Sequence, residues 1–185
     1  QLSHWKTGGT GTHRNGYPGG KYANLAAGMP GYKGQILVFL DVSDPREPKE
    51  AGRWWLPAQK DGEPAPSNPI GGLHGPAIID GNMAYLGYGP AIVILDISDI
   101  SKPKLVGRLD MSPPFILAGV QGVHDVLKIP GKPLLFSNSE ASAENCEDNP
   151  LNHAAMIDIK DPSKPRLMSM FPLPVPPANA PYTDF

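Results

Sequence analysis

The chain has 185 residues, 40% of them hydrophobic, with a formal net charge of −2. That is enough apolar matter for a packed core and too little basic charge to neutralise phosphates, so a disordered tail and a general nucleic-acid binder are both excluded. No run approaches the ~18 apolar residues of a membrane span, and the single cysteine, Cys146, excludes an internal disulfide framework and a Cys-rich zinc site.

The acidic neighbours of Cys146 in ENCEDN argue against a reactive nucleophile. The start, QLSHWKTGG, has neither a signal-peptide pattern nor an initiator Met, as in a processed or truncated chain whose leader could already be gone. The compartment stays open, with a secreted or periplasmic one preferred. The 21 Gly and 23 Pro are spread along the chain, and no segment keeps a 3.6-residue apolar period. Many short strands joined by turns fit that pattern, and long helices do not.

In chain order, HRNGY, KYANLAA, QILVFLDVS and KEAGRWWL read as four strands. LHGPAII, NMAYLGY, AIVILDIS and KLVGRLDM follow, with Asp80-Gly81 supplying two positive-φ positions for a hairpin and Gly89-Pro90 the next turn. AIVILDIS is so apolar that both its faces must be covered. VHDVLKI, PLLFSNS, AAMIDIK and RLMSMFPL make a third set, with Pro130-Gly131 at its first hairpin. Each set carries one sentence: DVSDPREPKEAGRW from Asp41, DISDISKPKLVGRL from Asp96 and DIKDPSKPRLMSMF from Asp158. Asp44, Asp99 and Asp161 stand where an aspartate caps its own turn, and Pro48, Pro103 and Pro165 precede the outer strand, where a missing N–H matters least. These aspartates read as turn formers rather than catalytic acids.

Four antiparallel strands per repeat describe the blade of a β-propeller. The expectation is an all-β chain with three blades, at about 13–57, 73–112 and 123–174, in one domain spanning 1–185. Three blades fall short of the usual ring of 4–8. The ending PVPPANAPYTDF reads as a linker towards another inner strand. The three blades are therefore expected to belong to a six- or seven-bladed propeller, completed by remaining blades or by a partner chain.

ILVFLDVSDPREP, AIVILDISDISKP and AAMIDIKDPSKP resemble the LVIVD-repeat family of β-propellers. The resemblance covers all three blades and implies the fold, but no single activity. A more distant likeness, through His124-Asp125 opening an inner strand, is to selenium-binding protein and methanethiol oxidase. Those propellers have histidines near the axis and a metal-dependent oxidase activity, which is what that resemblance implies here.

His13, His74 and His124 each stand at the start of the first strand of a blade. Inner strands line a propeller's channel, so equivalent positions on neighbouring blades converge. Three neutral imidazoles with one position left open suit a catalytic divalent transition metal such as copper, iron or zinc. The alternative is ordinary polar lining of a channel. Glu140, near the end of a second strand, is the candidate general base or outer-shell acceptor. Arg14 is expected to brace the blade or to bind an anionic substrate. Asp125 alternates away from His124 and is expected to brace the blade interface. His4 reads as a terminal surface residue, and His153 as a residue preceding the third strand of its blade. Trp54 and Trp55 alternate faces, one packing between blades and the other open to mark a partner surface, with core packing the preferred reading.

The long segments PAQKDGEPAPSNPIGG and SNSEASAENCEDNPLNH fall on the histidine side. GGTGTHRNG lacks the Lys-Ser/Thr and the helix of a phosphate loop, and no Gly-x-Ser-x-Gly elbow occurs. Two functions follow. One is a metal-dependent enzyme that oxidises or hydrolyses a small-molecule substrate in the channel mouth. The other is a non-enzymatic platform for a protein or polysaccharide.

Overall fold

The computed structural model describes residues 2–64, 72–112, 121–140 and 153–172. Cys146, most of the acidic segment before His153, and the Pro-rich ending lie outside the described residues. Among the described residues, twelve strands form three separate four-stranded antiparallel sheets, each in sequence order across the sheet. The first holds β1 (Gly11–Gly16), β2 (Tyr22–Gly28), β3 (Ile36–Asp41) and β4 (Lys49–Trp54). The second holds β5 (Ile78–Asp80), β6 (Met83–Tyr88), β7 (Ala91–Asp96) and β8 (Lys104–Asp110). The third holds β9 (Gln121–Lys128), β10 (Leu134–Glu140), β11 (Ala154–Asp158) and β12 (Arg166–Met170). The sheets are the three expected blades.

Period-2 alternation sends successive side chains to opposite faces, and each face finds a neighbour. Ala26, Leu37 and Phe39 of the first blade pack with Leu86, Val93 and Leu95 of the second. The intervening Tyr85, Ile92 and Ile94 turn the other way, onto Val123, Val126, Leu135, Ala155 and Ile157 of the third. β7 is thus buried on both faces, as its unbroken apolar run requires. The outer face of the first blade, with Leu25, Ala27, Ile36, Val38 and Leu40, is covered by Trp5, Tyr32 and Trp55. Trp54 meets Tyr88 edge-on, with ring centroids 5.6 Å apart. Both tryptophans therefore pack, and Trp55 is not left as a free surface marker.

The repeated Asp sentence is a double turn. Asp41, Asp96 and Asp158 accept from the backbone N–H two residues on, at Ser43 (3.0 Å), Ser98 (2.8 Å) and Lys160 (2.9 Å). Asp44, Asp99 and Asp161 accept likewise from Arg46 (2.9 Å), Ser101 (3.0 Å) and Ser163 (3.0 Å). The hydroxyl and amide of Ser43 hold the Asp41 carboxyl at about 2; Asp96, Asp99 and Asp161 are lowered by the serine two residues on, and Asp158 by Arg166 and then the Lys160 amide. Carboxylates kept ionised inside their own turns are poor proton donors, as expected of turn formers.

These turns also join the blades. A Cβ placed on Gly52 of β4 would lie 2.0 Å from the Ile100 carbonyl oxygen, and one on Gly107 of β8 would lie 2.0 Å from that of Pro162. Each turn carbonyl rests on the bare Cα of the preceding blade's outer strand. Two hairpin details differ from expectation. At Asp80-Gly81 only Gly81 takes positive φ (58°), as in a type II′ turn, because Asp80 still pairs with Met83 as the last residue of β5. In the second blade β5 is short, because Pro76 supplies no N–H and only the bridge Leu73–Tyr88 precedes it.

Gly107→Ala is expected to lower stability by about 1–3 kcal/mol through overpacking against a backbone that cannot yield. Urea unfolding checks it: a lower midpoint at an unchanged slope is the expected result.

Candidate metal centre

The three histidines lie where the innermost chain of each blade leaves its ladder. In β1, pairing runs Thr12 with Ala27 and then Asn15 with Leu25, so His13 and Arg14 sit in a bulge. In β9, Asp125 pairs with Asn138 and Gln121 with Glu140, so four steps on β9 answer to two on β10, and His124 lies in the excess. His74 precedes β5 in an irregular segment rather than at a strand start. Bulges re-aim side chains and are enriched beside active sites.

The His74 segment is fastened at both ends. Leu73 N–H donates to Gln35 O (2.9 Å) and Ala77 N–H to Asn24 Oδ1 (2.8 Å). Gln35 O also accepts from the side chain of buried Gln59 (3.1 Å). Gln59 Oε1 in turn accepts from the Tyr88 hydroxyl and from Leu56 N–H. Neither Asn24 nor Gln59 was singled out in the sequence, where polar residues in apolar runs carry no mark of what they hold.

The imidazoles converge. His13 Nε2 is 2.9 Å from His74 Nε2, and the His74 and His124 ring centroids are 4.1 Å apart. Glu140 joins them from the end of β10, with Oε2 2.9 Å from His124 Nε2 and 3.5 Å from His74 Nε2. His74, His124 and Glu140 each offer one donor atom within 4.8 Å of the other two. His13 stands outside that trio and approaches it through His74. Donors bound to one ion at ~2.0–2.2 Å lie about 3–3.5 Å from each other. The two separations from Glu140 Oε2, 2.9 Å and 3.5 Å, are of that size.

The nitrogens are poorly served by hydrogen bonds. His74 Nδ1 and both ring nitrogens of His124 are buried without a hydrogen-bond partner among the described residues. His124 Nε2 is near Glu140, and His124 Nδ1 is 3.0 Å from Asp125 Oδ2, yet neither carboxylate lies in line with its ring nitrogen. A buried nitrogen left this way costs roughly 1–3 kcal/mol, which a ligand would recover. Burial, then the neighbouring His124, His13 and Arg14, lower the His74 pKa to about 4. Its imidazole is neutral at pH 7, the form a metal requires.

Two expectations are corrected. Asp125 does not turn away from His124, because the bulge breaks the strand's alternation and brings adjacent side chains to one side. It does also meet the second blade, its Oδ1 filling the space where Gly75 would carry a Cβ. Glu140 stands at ligand distance rather than only behind the histidines. Arg14, 43% exposed, lies 3.6 Å from Asp125 and 3.9 Å from Glu140, at the rim of the cluster. A cavity of about 260 Å³ opens beside the trio, lined by His13, Gly34, Gln35, Gly72, Leu73 and His74. Larger spaces lie along β4 and beneath Lys21 and Asp99, away from the histidines.

His4 is exposed, as expected. His153 is fully buried in the third blade, its Nε2 3.1 Å from Ser137 Oγ and its N–H donating to Ser139 Oγ (3.0 Å). It is a core histidine.

The chain is thus an all-β repeat protein with a histidine–carboxylate cluster spanning its blades. A family model described as LVIVD repeat matches residues 77–111, which cover the second blade from Ala77 to Met111. That match supports the repeat and carries no activity. No curated protein matches the chain.

Burial lowers the His153 pKa from 6.5 to about 4. On acidification the unfolded chain takes up this proton first, so the contribution to stability is whole above pH 6.5 and is lost as pH falls towards 4. Its size is on the order of 3 kcal/mol. In chelator-treated protein, urea midpoints should fall between pH 7 and pH 4.5, and His153→Gln should flatten that profile; an equal slope in the variant would contradict the assignment.

Proposed function

We propose that the chain is a metal-dependent enzyme, with a divalent transition metal held by His74, His124 and Glu140 and with His13 at its open side. The observation that carries this reading is the approach of two imidazoles and one carboxylate from two blades, with His74 Nδ1 and both His124 ring nitrogens buried without a hydrogen-bond partner among the described residues. Two nitrogens and one carboxylate oxygen suit zinc, iron or copper, and three protein ligands leave room for water or substrate. When bound, the metal supplies Lewis acidity and an exchangeable position.

The chain's own residues do the rest. Asp125, 3.0 Å from His124 Nδ1, is placed to accept that N–H when Nε2 holds the metal. His13, exposed and adjacent to His74, is placed to become a further ligand or to accept a proton at its Nε2. The 260 Å³ cavity, walled partly by the backbone of Gly34 and Gly72, is of a size that suits a small organic molecule. Arg14 is the substrate-binding residue of this reading. With a dication bound, Arg14, Asp125 and Glu140 leave the cluster with an excess of one positive charge, which favours an anionic substrate. Oxidation and hydrolysis both remain within this chemistry, and the likeness to methanethiol oxidase would select oxidation.

Protein purified without a histidine tag is expected to carry about one equivalent of transition metal, as a three-ligand site does. His124→Ala should abolish that binding while circular dichroism stays unchanged, because packed strands and not the metal hold the blades. Asp125→Ala should weaken it roughly 10–100-fold. His4→Ala should leave it as it is. Arg14→Gln should retain the metal and raise KM about tenfold for anionic substrates alone. Metal retained at full affinity in His124→Ala would end the proposal.

A further inference from the structure

Between the first and second blades lies a cavity that a comparison of the repeats explains. Register aligns the two inter-blade rows: Asn24 pairs with Phe39 and Phe39 with Gly52, while Tyr85 pairs with Ile94 and Ile94 with Gly107. At its place in the second row, Tyr85 packs into the core shared with the third blade. The first blade carries the shorter Asn24 there. A space of about 520 Å³ adjoins it, away from the histidines. Phe39, Ile79, Ile97 and Ile100 give this space an apolar lining, and the exposed Lys21 and Asp99 stand at its edge.

Asn24 is only 1% exposed, and its amide is used at one end. Oδ1 accepts from Ala77 N–H (2.8 Å), which fixes the oxygen on that side. Nδ2 has no hydrogen-bond partner among the described residues. The charged groups at the edge are already served. Lys21 Nζ is 3.1 Å from Asp41, and Asp99 accepts from the amide and the hydroxyl of Ser101 (3.0 and 2.6 Å). The Asp99 carboxylate disfavours an anion and Lys21 a cation. What remains for a ligand is apolar surface and a buried amide donor.

We propose that this cavity is a second binding site, for a small neutral molecule with an apolar body and a carbonyl oxygen that accepts from Asn24 Nδ2. Burial of apolar surface holds the body, as in most small-molecule sites. The carbonyl satisfies a donor whose isolation is otherwise costly. Because Ala77 already holds the amide in place, no side chain has to be ordered when the ligand arrives. The site stands apart from the metal reading, and its test needs no metal.

The test is titration of the intact protein with two near-isosteric probes, acetophenone and α-methylstyrene, which carry a carbonyl oxygen and a methylene carbon at the same place. Methyl NMR resonances of Ile79, Ile97 and Ile100 report occupancy. Acetophenone should shift them saturably, and α-methylstyrene should bind about fivefold more weakly, the worth of one hydrogen bond. Asn24→Asp keeps an acceptor for Ala77 N–H and removes the donor, so the preference for the ketone should vanish. Asn82→Trp, at an exposed position lining the cavity, should abolish the shifts while circular dichroism stays unchanged. Absence of saturable shifts, equal affinity of the two probes in the unaltered protein, or undiminished acetophenone binding in Asn82→Trp would each overturn the proposal.

Discussion

The rest of the structure depends on burying both faces of each central strand. A single four-stranded sheet leaves one apolar face to water, and the second blade can exist only between two others: Val93 and Leu95 need the first blade, and Ile92 and Ile94 the third. Stacking is then fixed in register by the Asp turns, whose carbonyls rest on Gly52 and Gly107. That register is what brings three inner segments to one place. The histidines meet because the blades are stacked, and the metal reading presupposes no contribution of the metal to the fold.

Close approach of His13, His74, His124 and Glu140 has an electrostatic consequence. Protonating His74 would place a cation beside two other imidazoles and Arg14 in a partly desolvated site, and its pKa falls accordingly. A neutral imidazole presents a lone pair, and here His74 Nδ1 and both ring nitrogens of His124 are buried without a hydrogen-bond partner among the described residues. Within the third blade, His153 Nε2 meets Ser137 Oγ at 3.1 Å instead. What separates a binding role from a packing one is the clustering of His13, His74, His124 and Glu140 between blades, which His153, seated within one blade, does not share.

Much of the fold was legible in the sequence, because turns and alternation are local. Gly81, Gly89 and Gly131 all take the positive φ that their turns need, and the three Asp sentences fall at equivalent places. The site was legible only in part. Equivalent histidine positions foretold convergence, since a repeat maps sequence position onto space. Bulges did not announce themselves: they arise from register between strands, so the turn of Asp125 towards His124 and the extra steps on β9 could not be read from β9 alone. Glu140 was noticed at a strand end, but its place among the ligand-distance donors depends on the paired strand's excess residues. Asn24 and Gln59, which fix the His74 segment, had no local signal at all.

The central claim is that His74, His124 and Glu140 form one metal-binding set. X-ray absorption spectroscopy of the metal-loaded, untagged protein tests it most directly. The account predicts an inner shell of nitrogen and oxygen at ~2.0–2.2 Å, with outer-shell scattering from at least two imidazoles. Loss of one imidazole in His74→Ala should follow. A shell of oxygen alone, or imidazole scattering that persists unchanged in His74→Ala, would contradict it.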